Sequence, residues 1–228
     1  MKNITTIFFD IDDTFINHSV AEEKGIKGIH KKYHSIISYK KFKQVWLESR
    51  RKNWELYTEK RLTFQEQRNR RIIDVWISFE KSLSEQKAKK IFDEYLLFYE
   101  RNWKLLPNVL STIKKLHKKG FTLGVISNGN TKQQMKKLQK LKLRRYFDKN
   151  LIVISEAVGY AKPSMEIFFH AQKLARVLEK NILYIGNKID KDIEPAKKMG
   201  WKVLLFDYFR RSPKEKSIKD FREVYQSI

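Results

Sequence analysis

Cysteine is absent from the 228-residue chain, which excludes disulfides, thiolate metal centres and cysteine nucleophiles. Glycine and proline are scarce, at 8 and 4, which argues against a loop-rich or fibrous chain. No apolar run approaches the ~20 residues needed to cross a bilayer. The amino-terminal run, Ile4 to Phe9, is too short for a secretory signal and ends on acids. A cytoplasmic protein without membrane association is therefore expected. Acid is also in short supply. There are 26 Asp and Glu against 49 Lys and Arg, for a net charge of +23. Such a field attracts polyanions, and nucleic-acid contact is expected only through non-specific charge. The chain is not poor in core material: hydrophobic residues make up 41% and charged residues 33%, so a folded core is expected.

Along the chain, Ile4 to Phe9 has the continuous β-rich character of a strand buried on both faces. From 18 to 103 the pattern changes to helical periodicity. Phe42, Val45, Trp46 and Ser49 share one face, as do Ile72, Val75, Trp76 and Phe79. Three to five helices are expected there, and no strand. After Pro107, helices and short apolar strands alternate. Strands are expected at 121–126, 151–154, 182–185 and 202–206. Helices are expected at 108–119, 131–143, 165–175, 192–199 and 217–225. This alternation predicts an α/β protein with a parallel-sheet core, formed by 1–17 and 104–228, and an inserted all-α domain at 18–103. In the helix at 131–143, Met135, Leu138 and Leu141 are expected to face inward. The basic cluster Lys132, Lys136, Lys137, Lys140, Lys142, Arg144 and Arg145 is expected to form a solvated face.

Ligands of parallel α/β sheets bind beyond the carboxyl ends of the strands. Those ends carry Asp10-Ile11-Asp12-Asp13-Thr14, Ser127-Asn128-Gly129, Lys162-Pro163 after the third strand, and Gly186-Asn187 followed by Asp190 and Asp192. Clustered carboxylates and other hard oxygen donors suit Mg²⁺. A carboxylate such as Asp10 can attack phosphorus, and Asp12 can serve as acid and base. Ser127, with amides near Asn128 and Gly129, can hold phosphate oxygens, and Lys162 can neutralise the transferring group.

These four blocks, in this order, resemble those of the haloacid dehalogenase superfamily of aspartate-nucleophile phosphohydrolases. The resemblance covers nearly the whole chain. It implies a Rossmann-like three-layer core and a helical C1-type cap inserted after the first block, which 18–103 matches in position and length. The pair Asp10 and Asp12 is similar to the phosphatase branch. The Phe8-Phe9-Asp10 opening, the segment Val153 to Gly159 and the Trp/Tyr-rich insertion look most like the pyrimidine 5′-nucleotidase group. The implied activity is Mg²⁺-dependent hydrolysis of a small phosphomonoester, a nucleoside 5′-monophosphate or another phosphometabolite, through an aspartyl-phosphate. The implied catalytic set is Asp10, Asp12, Ser127 and Lys162. The phosphate-binding set is Thr14, Ser127, Asn128, Gly129 and Lys162, and the metal set is Asp10, Asp12, Asn187 and Asp192.

Two positions depart from the superfamily pattern. Asp13 stands where Gly is usual, and Asn187 where Asp is usual; an Asn carbonyl can ligate Mg²⁺ but adds no charge. Two rival readings are a phosphomutase of the same superfamily and a basic nucleic-acid-binding protein with a residual core. The partner expected is a small phosphorylated metabolite, and the assembly a monomer or homodimer. Trp46, Trp54, Trp76 and Trp103 are expected to be helix-bundle core more than base-stacking platforms. Of the histidines, only His18 lies close to the first block in sequence.

Overall fold

The computed structural model describes residues 3–212 and 215–228. The chain divides into two compact units, Met1–Asn17 with Lys104–Ile228, and His18–Trp103.

In the first unit, β1 (Thr6–Phe9) is the central strand. After β1 the chain passes through the four helices of the second unit (described below) and returns as a run of alternating elements. These are, with the numbering continued past the four helices of the other unit, α5 (Val109–Lys118), β2 (Thr122–Ser127), α6 (Thr131–Lys140), β3 (Ile152–Ile154), α7 (Ser155–Val158), α8 (Met165–Ala175), β4 (Ile182–Gly186), α9 (Glu194–Lys198), β5 (Lys202–Leu205) and α10 (Arg222–Gln226). The sheet has five strands in the order β3-β2-β1-β4-β5, and every pairing is parallel. The order reverses direction at β1, the type of position where parallel sheets open a crevice.

The register explains the apolar run of β1. Phe8 turns to one face and stacks on Trp201, with ring centroids 5.5 Å apart. Phe9 turns to the other, against Phe15, Phe147 and Phe221. All four residues of β1 are buried. A strand covered on both faces needs apolar side chains at both parities, so strict alternation is lost.

The two ends of the inserted segment leave the first unit side by side. Asn17 N–H donates to the Lys104 carbonyl at 3.1 Å, and Lys104 N–H donates to Asn17 Oδ1 at 2.9 Å. Ile16 also forms an antiparallel bridge with Leu105.

The second unit is helical throughout: α1 (His18–Tyr33), α2 (Tyr39–Thr58), α3 (Phe64–Ile77) and α4 (Glu85–Arg101). Its helix starts are written locally. Ser38, Thr63 and Ser84 each accept a hydrogen bond from the backbone three residues on, and Thr63 with Glu66 completes a capping box. Each such cap is worth roughly 1 kcal/mol. The interior is aromatic. Phe42, Trp46, Trp76, Phe92, Tyr95 and Tyr99 are buried. Gly25 lets α1 approach α4, since a β-carbon there would lie 2.6 Å from the Tyr95 ring.

Two expected helices differ. The one at 192–199 begins as a π-helical turn, Ile189–Ile193, before α9, because Asp192 folds back onto the amides of Asn187 and Lys188. The one at 217–225 contracts to α10. Ile218 is drawn into a bridge with Phe206, and Asp220 N–H donates to the Glu223 carboxylate at the new helix start. Among the described residues, no helix is long and apolar enough to cross a membrane.

Candidate active site

The first block turns sharply after β1. Phe15 and Ile16 N–H both donate to the Ile11 carbonyl, and Asp13 N–H donates to the Ile16 carbonyl. This turn holds Asp10 at the strand end, where its own N–H donates to the Ile185 carbonyl of β4. Asp10 is therefore set beside Gly186 and the loop that follows. The turn places Asp13 in the left-handed region, with φ 61°. Glycine suits that conformation, and Asp tolerates it better than most residues. The Asp13 carboxylate compensates by meeting the Arg211 guanidinium at 2.8 Å.

Asp10 is buried and its two oxygens are claimed separately. Lys162 Nζ donates to Oδ1 at 2.8 Å, and Thr14 Oγ1 donates to Oδ2 at 3.2 Å. Lys162 is itself buried, and its ammonium also reaches Asp192 Oδ1 at 2.5 Å and the Tyr184 hydroxyl at 3.0 Å. Burial alone would drive the Lys162 proton off; Asp10 and Asp192 overcome this and hold the ammonium charged, with its pKa raised well above the ordinary value. Burial pushes the Asp10 carboxyl up to about 7; Lys162 opposes this, while Asp192 and Asp12 add to it.

Lys162 owes its position to Asn128. The Asn128 side-chain amide donates to the Lys162 carbonyl at 2.8 Å and accepts from the Lys162 N–H at 2.7 Å. The second block thus orients the third through a two-point backbone clamp. In this structure Asn128 is a lysine-positioning residue as well as a candidate for phosphate contact.

Asp192 is 1% exposed, and both its oxygens are in use. Oδ1 takes Lys162 and the Tyr184 hydroxyl, and Oδ2 accepts from the backbone of Asn187 and Lys188 at 3.2 and 3.0 Å. The direct metal contact expected of it gives way here to a structural charge behind Lys162. Gly186 makes that possible, because a β-carbon there would sit 2.5 Å from Asp192 Cβ. Gly129 also turns away from the expected role. Its N–H donates to Ser155 Oγ at 2.9 Å and is not directed at a phosphate.

Asp12 and Ser127 are brought together by residues that sequence reasoning missed. Gln134 Nε2 lies 3.1 Å from Asp12 Oδ2, 2.7 Å from Ser127 Oγ and 3.1 Å from the Asn128 carbonyl. Lys137 Nζ lies 2.6 and 2.9 Å from the two oxygens of Asp12. The solvated face expected for Lys137 is thus corrected: its side chain is 2% exposed. The inward face of α6 is Gln134, Lys137 and Leu138, while Met135 is only half-buried. The apolar stripe alone misphased the helix by about half a position, roughly 50°, with Leu138 common to both faces. The available signal was the spacing of Gln134 and Lys137 by three, on a helix that starts beside the second block. Tyr184 was hidden within an apolar strand, where a hydroxyl leaves no periodicity signal.

Three carboxylates (Asp10, Asp12 and Asp192) therefore face two ammonium groups (Lys137 and Lys162). The set is one positive charge short, and the neighbouring carboxylates add to the burial that raises Asp10. A divalent cation suits that deficit, and the candidate donors that the first and fourth blocks offer, the Asp10 carboxylate, the Asp12 carbonyl and the Asn187 side chain, are all hard oxygens. Among the described residues, no group of three His, Cys, Asp or Glu side chains is arranged to hold a metal by itself.

Elsewhere, His18 Nδ1 is hydrogen-bonded to the Tyr99 hydroxyl at 2.7 Å within the helical unit. Trp46, Trp76 and Trp103 are buried, as expected of core rings, and Trp54 is half-buried.

The protein is a parallel α/β fold of the Rossmann-like class, with an acid pair, a lysine and a third acid at the carboxyl edge of its sheet. Residues 7–206 match the family model described as haloacid dehalogenase-like hydrolase, and the chain belongs to that family. It is 27% identical over 201 residues to the glyceraldehyde 3-phosphate phosphatase of Methanopyrus kandleri, covering 86% of this chain and 81% of the relative. It is 30% identical over 122 residues to the ribulose-1,5-bisphosphate 5-phosphatase of Halopiger xanaduensis, covering 53% and 49%; that match spans about half of each protein. The fold is similar to the crystal structure of the HAD-hydrolase YfnB from Bacillus subtilis bound to magnesium, with a TM-score of 0.79, 22% identity and 99% of both chains covered.

Proposed function

We propose that this chain is a Mg²⁺-dependent phosphomonoesterase acting on a small phosphorylated metabolite. The observation that carries the reading is Asp10, buried at the end of β1 with Lys162 on one oxygen and Thr14 on the other. An oxygen of Asp10 attacks phosphorus, and the bond to the ester oxygen breaks. Asp12 gives its proton to the departing alcohol. Water then attacks the aspartyl-phosphate, Asp12 takes the water's proton, and inorganic phosphate leaves Asp10 free. Lys162 neutralises charge gathering on the phosphoryl oxygens, and Ser127 holds one of them. Mg²⁺, held by Asp10, the Asp12 carbonyl and Asn187, would supply charge neutralisation for the attack.

The helical unit, residues 18–103, is proposed as the cap that selects the substrate. Sugar phosphates are favoured over nucleotides. The phosphatases of Methanopyrus kandleri and Halopiger xanaduensis are named for a triose and a pentose phosphate, and the burial of Trp46, Trp76 and Trp103 takes those rings away from base stacking. The absence of cysteine fits action in the reducing cytoplasm.

The test is phosphate release from a panel of triose, pentose and hexose phosphates and nucleoside 5′-monophosphates, with Mg²⁺ present. Release that Asp10→Asn abolishes is expected. A panel with no release above the Asp10→Asn control overturns the reading.

A further inference from the structure

Lys137 has no role in the catalytic scheme above, yet it is among the most fully buried charged residues of the chain. Burying an ammonium group costs several kcal/mol unless it is paired with good geometry. Here the pairing is two-pronged, 2.6 and 2.9 Å to the two oxygens of Asp12. The pair is also asymmetric. The Lys137 side chain is 2% exposed and that of Asp12 is 26% exposed. An ion pair serving only to fasten α6 to the first block gains nothing from leaving its anion accessible. A buried cation behind an accessible carboxylate is the arrangement of a support holding a working group. Gln134, one turn earlier on the same face, reinforces it by bridging Asp12 Oδ2 to Ser127 Oγ.

We propose that Lys137 and Gln134 are positioning residues for Asp12, holding its carboxylate in one plane and one rotamer at the mouth of the site. This rests on the reading of Asp12 as acid and base. A side chain two bonds from the backbone, left without partners, distributes over several rotamers, and only one of them meets the ester oxygen. Contacts to both oxygens remove that freedom before substrate arrives. Neither residue touches the substrate. Their effect is transmitted through Asp12.

The experiment compares kcat/KM for two classes of substrate in the full-length, Mg²⁺-loaded protein. Alkyl phosphomonoesters release a basic alkoxide that needs a proton, whereas p-nitrophenyl phosphate releases a phenolate that does not. In Lys137→Met, kcat/KM is expected to fall about 10–100-fold on the alkyl ester and by less than about 3-fold on the aryl ester. Lys137→Arg is expected to recover much of the alkyl-ester loss. The double variant Asp12→Asn/Lys137→Met is expected to be no slower than Asp12→Asn alone. Should Lys137→Met not fold, Gln134→Leu carries the same comparison with the same expected bias.

Equal losses on the two substrates, or losses that add fully in the double variant, overturn the proposal and leave a structural ion pair. So does wild-type kcat/KM on both esters in the variants. If the wild-type protein hydrolyses neither ester above the Asp10→Asn control, the phosphatase reading fails and this inference fails with it. If the wild type is active and Asp10-dependent while the variants show no substrate bias, only this inference fails.

Discussion

The Lys162 ammonium and the Asp192 carboxylate meet at 2.5 Å directly behind Asp10, with both side chains almost fully buried. Asp192 also accepts from the amides of Asn187 and Lys188, so one carboxylate fixes both the lysine and the loop after β4. Breaking a buried pair by removing one charge typically costs about 3–5 kcal/mol, because the other charge is left uncompensated. Asp192→Asn keeps the shape but loses the charge. Urea denaturation is expected to show a loss of about 3 kcal/mol relative to wild type; a loss within experimental error would show that Lys162 does not depend on Asp192.

Gly186 is required by the same contact. A methyl group there would lie 2.5 Å from Asp192 Cβ and 2.6 Å from its Cγ. The side chain cannot yield without leaving Lys162 and the two amides. Gly186→Ala is therefore expected to destabilise by about 1–3 kcal/mol, the usual cost of overpacking. Thermal denaturation checks this, and an unchanged melting temperature would mean that the loop can move at no cost.

Asn187 is the neutral member of the oxygen set proposed for Mg²⁺. Affinity for hard divalent cations rises with the number of charged ligands. Isothermal titration of Mg²⁺ into Asn187→Asp is expected to give binding about 10-fold tighter than into wild type. Equal or weaker binding would remove residue 187 from the metal shell.

His34 offers a pH dependence located in the helical unit. It is 1% exposed, neither ring nitrogen has a hydrogen-bond partner, and Phe42, Trp76 and Phe79 surround it. Burial lowers its pKa to about 4, and the positive charges of Lys81 and His30 act in the same direction. The unfolded chain binds this proton near 6.5 and the folded chain only near 4. Stability is therefore fully present above about 6.5 and is lost as pH falls towards 4, by at most roughly 3 kcal/mol from this group. His34→Phe is expected to flatten the stability profile over that window while retaining the packing at neutral pH. Guanidinium melts at pH 7.5 and 5 decide it: an equal pH dependence in the variant would acquit His34.

Much of the core was legible because its signals are local. An apolar run with no alternation marks β1, since a strand covered on both faces puts Phe8 and Phe9 into opposite halves of one core. Helical spacing marks α2 and α3, since Phe42, Trp46 and Ser49 on one helix and Ile72, Val75 and Trp76 on the other recur at a single buried face. The four strand ends were readable in the same way: parallel strands deliver their carboxyl ends to one edge, so acids, an amide and a lysine following them had to converge.

What the tertiary structure decided is which of those groups face one another. Asp10 and Lys162 are far apart in sequence, and their 2.8 Å contact exists only because the sheet order sets β1 between β2 and β4 while Asn128 clamps the lysine backbone. Asp192 reads as a metal ligand from its block, yet the π-helical turn rotates it onto two amides and Lys162. Lys137 reads as one more surface lysine in a cluster of seven basic residues, and only the approach of α6 to Asp12 makes burying it favourable. Sequence periodicity reports where apolar side chains go. It is silent on a buried charge, whose placement depends on a partner of opposite sign delivered from another part of the chain.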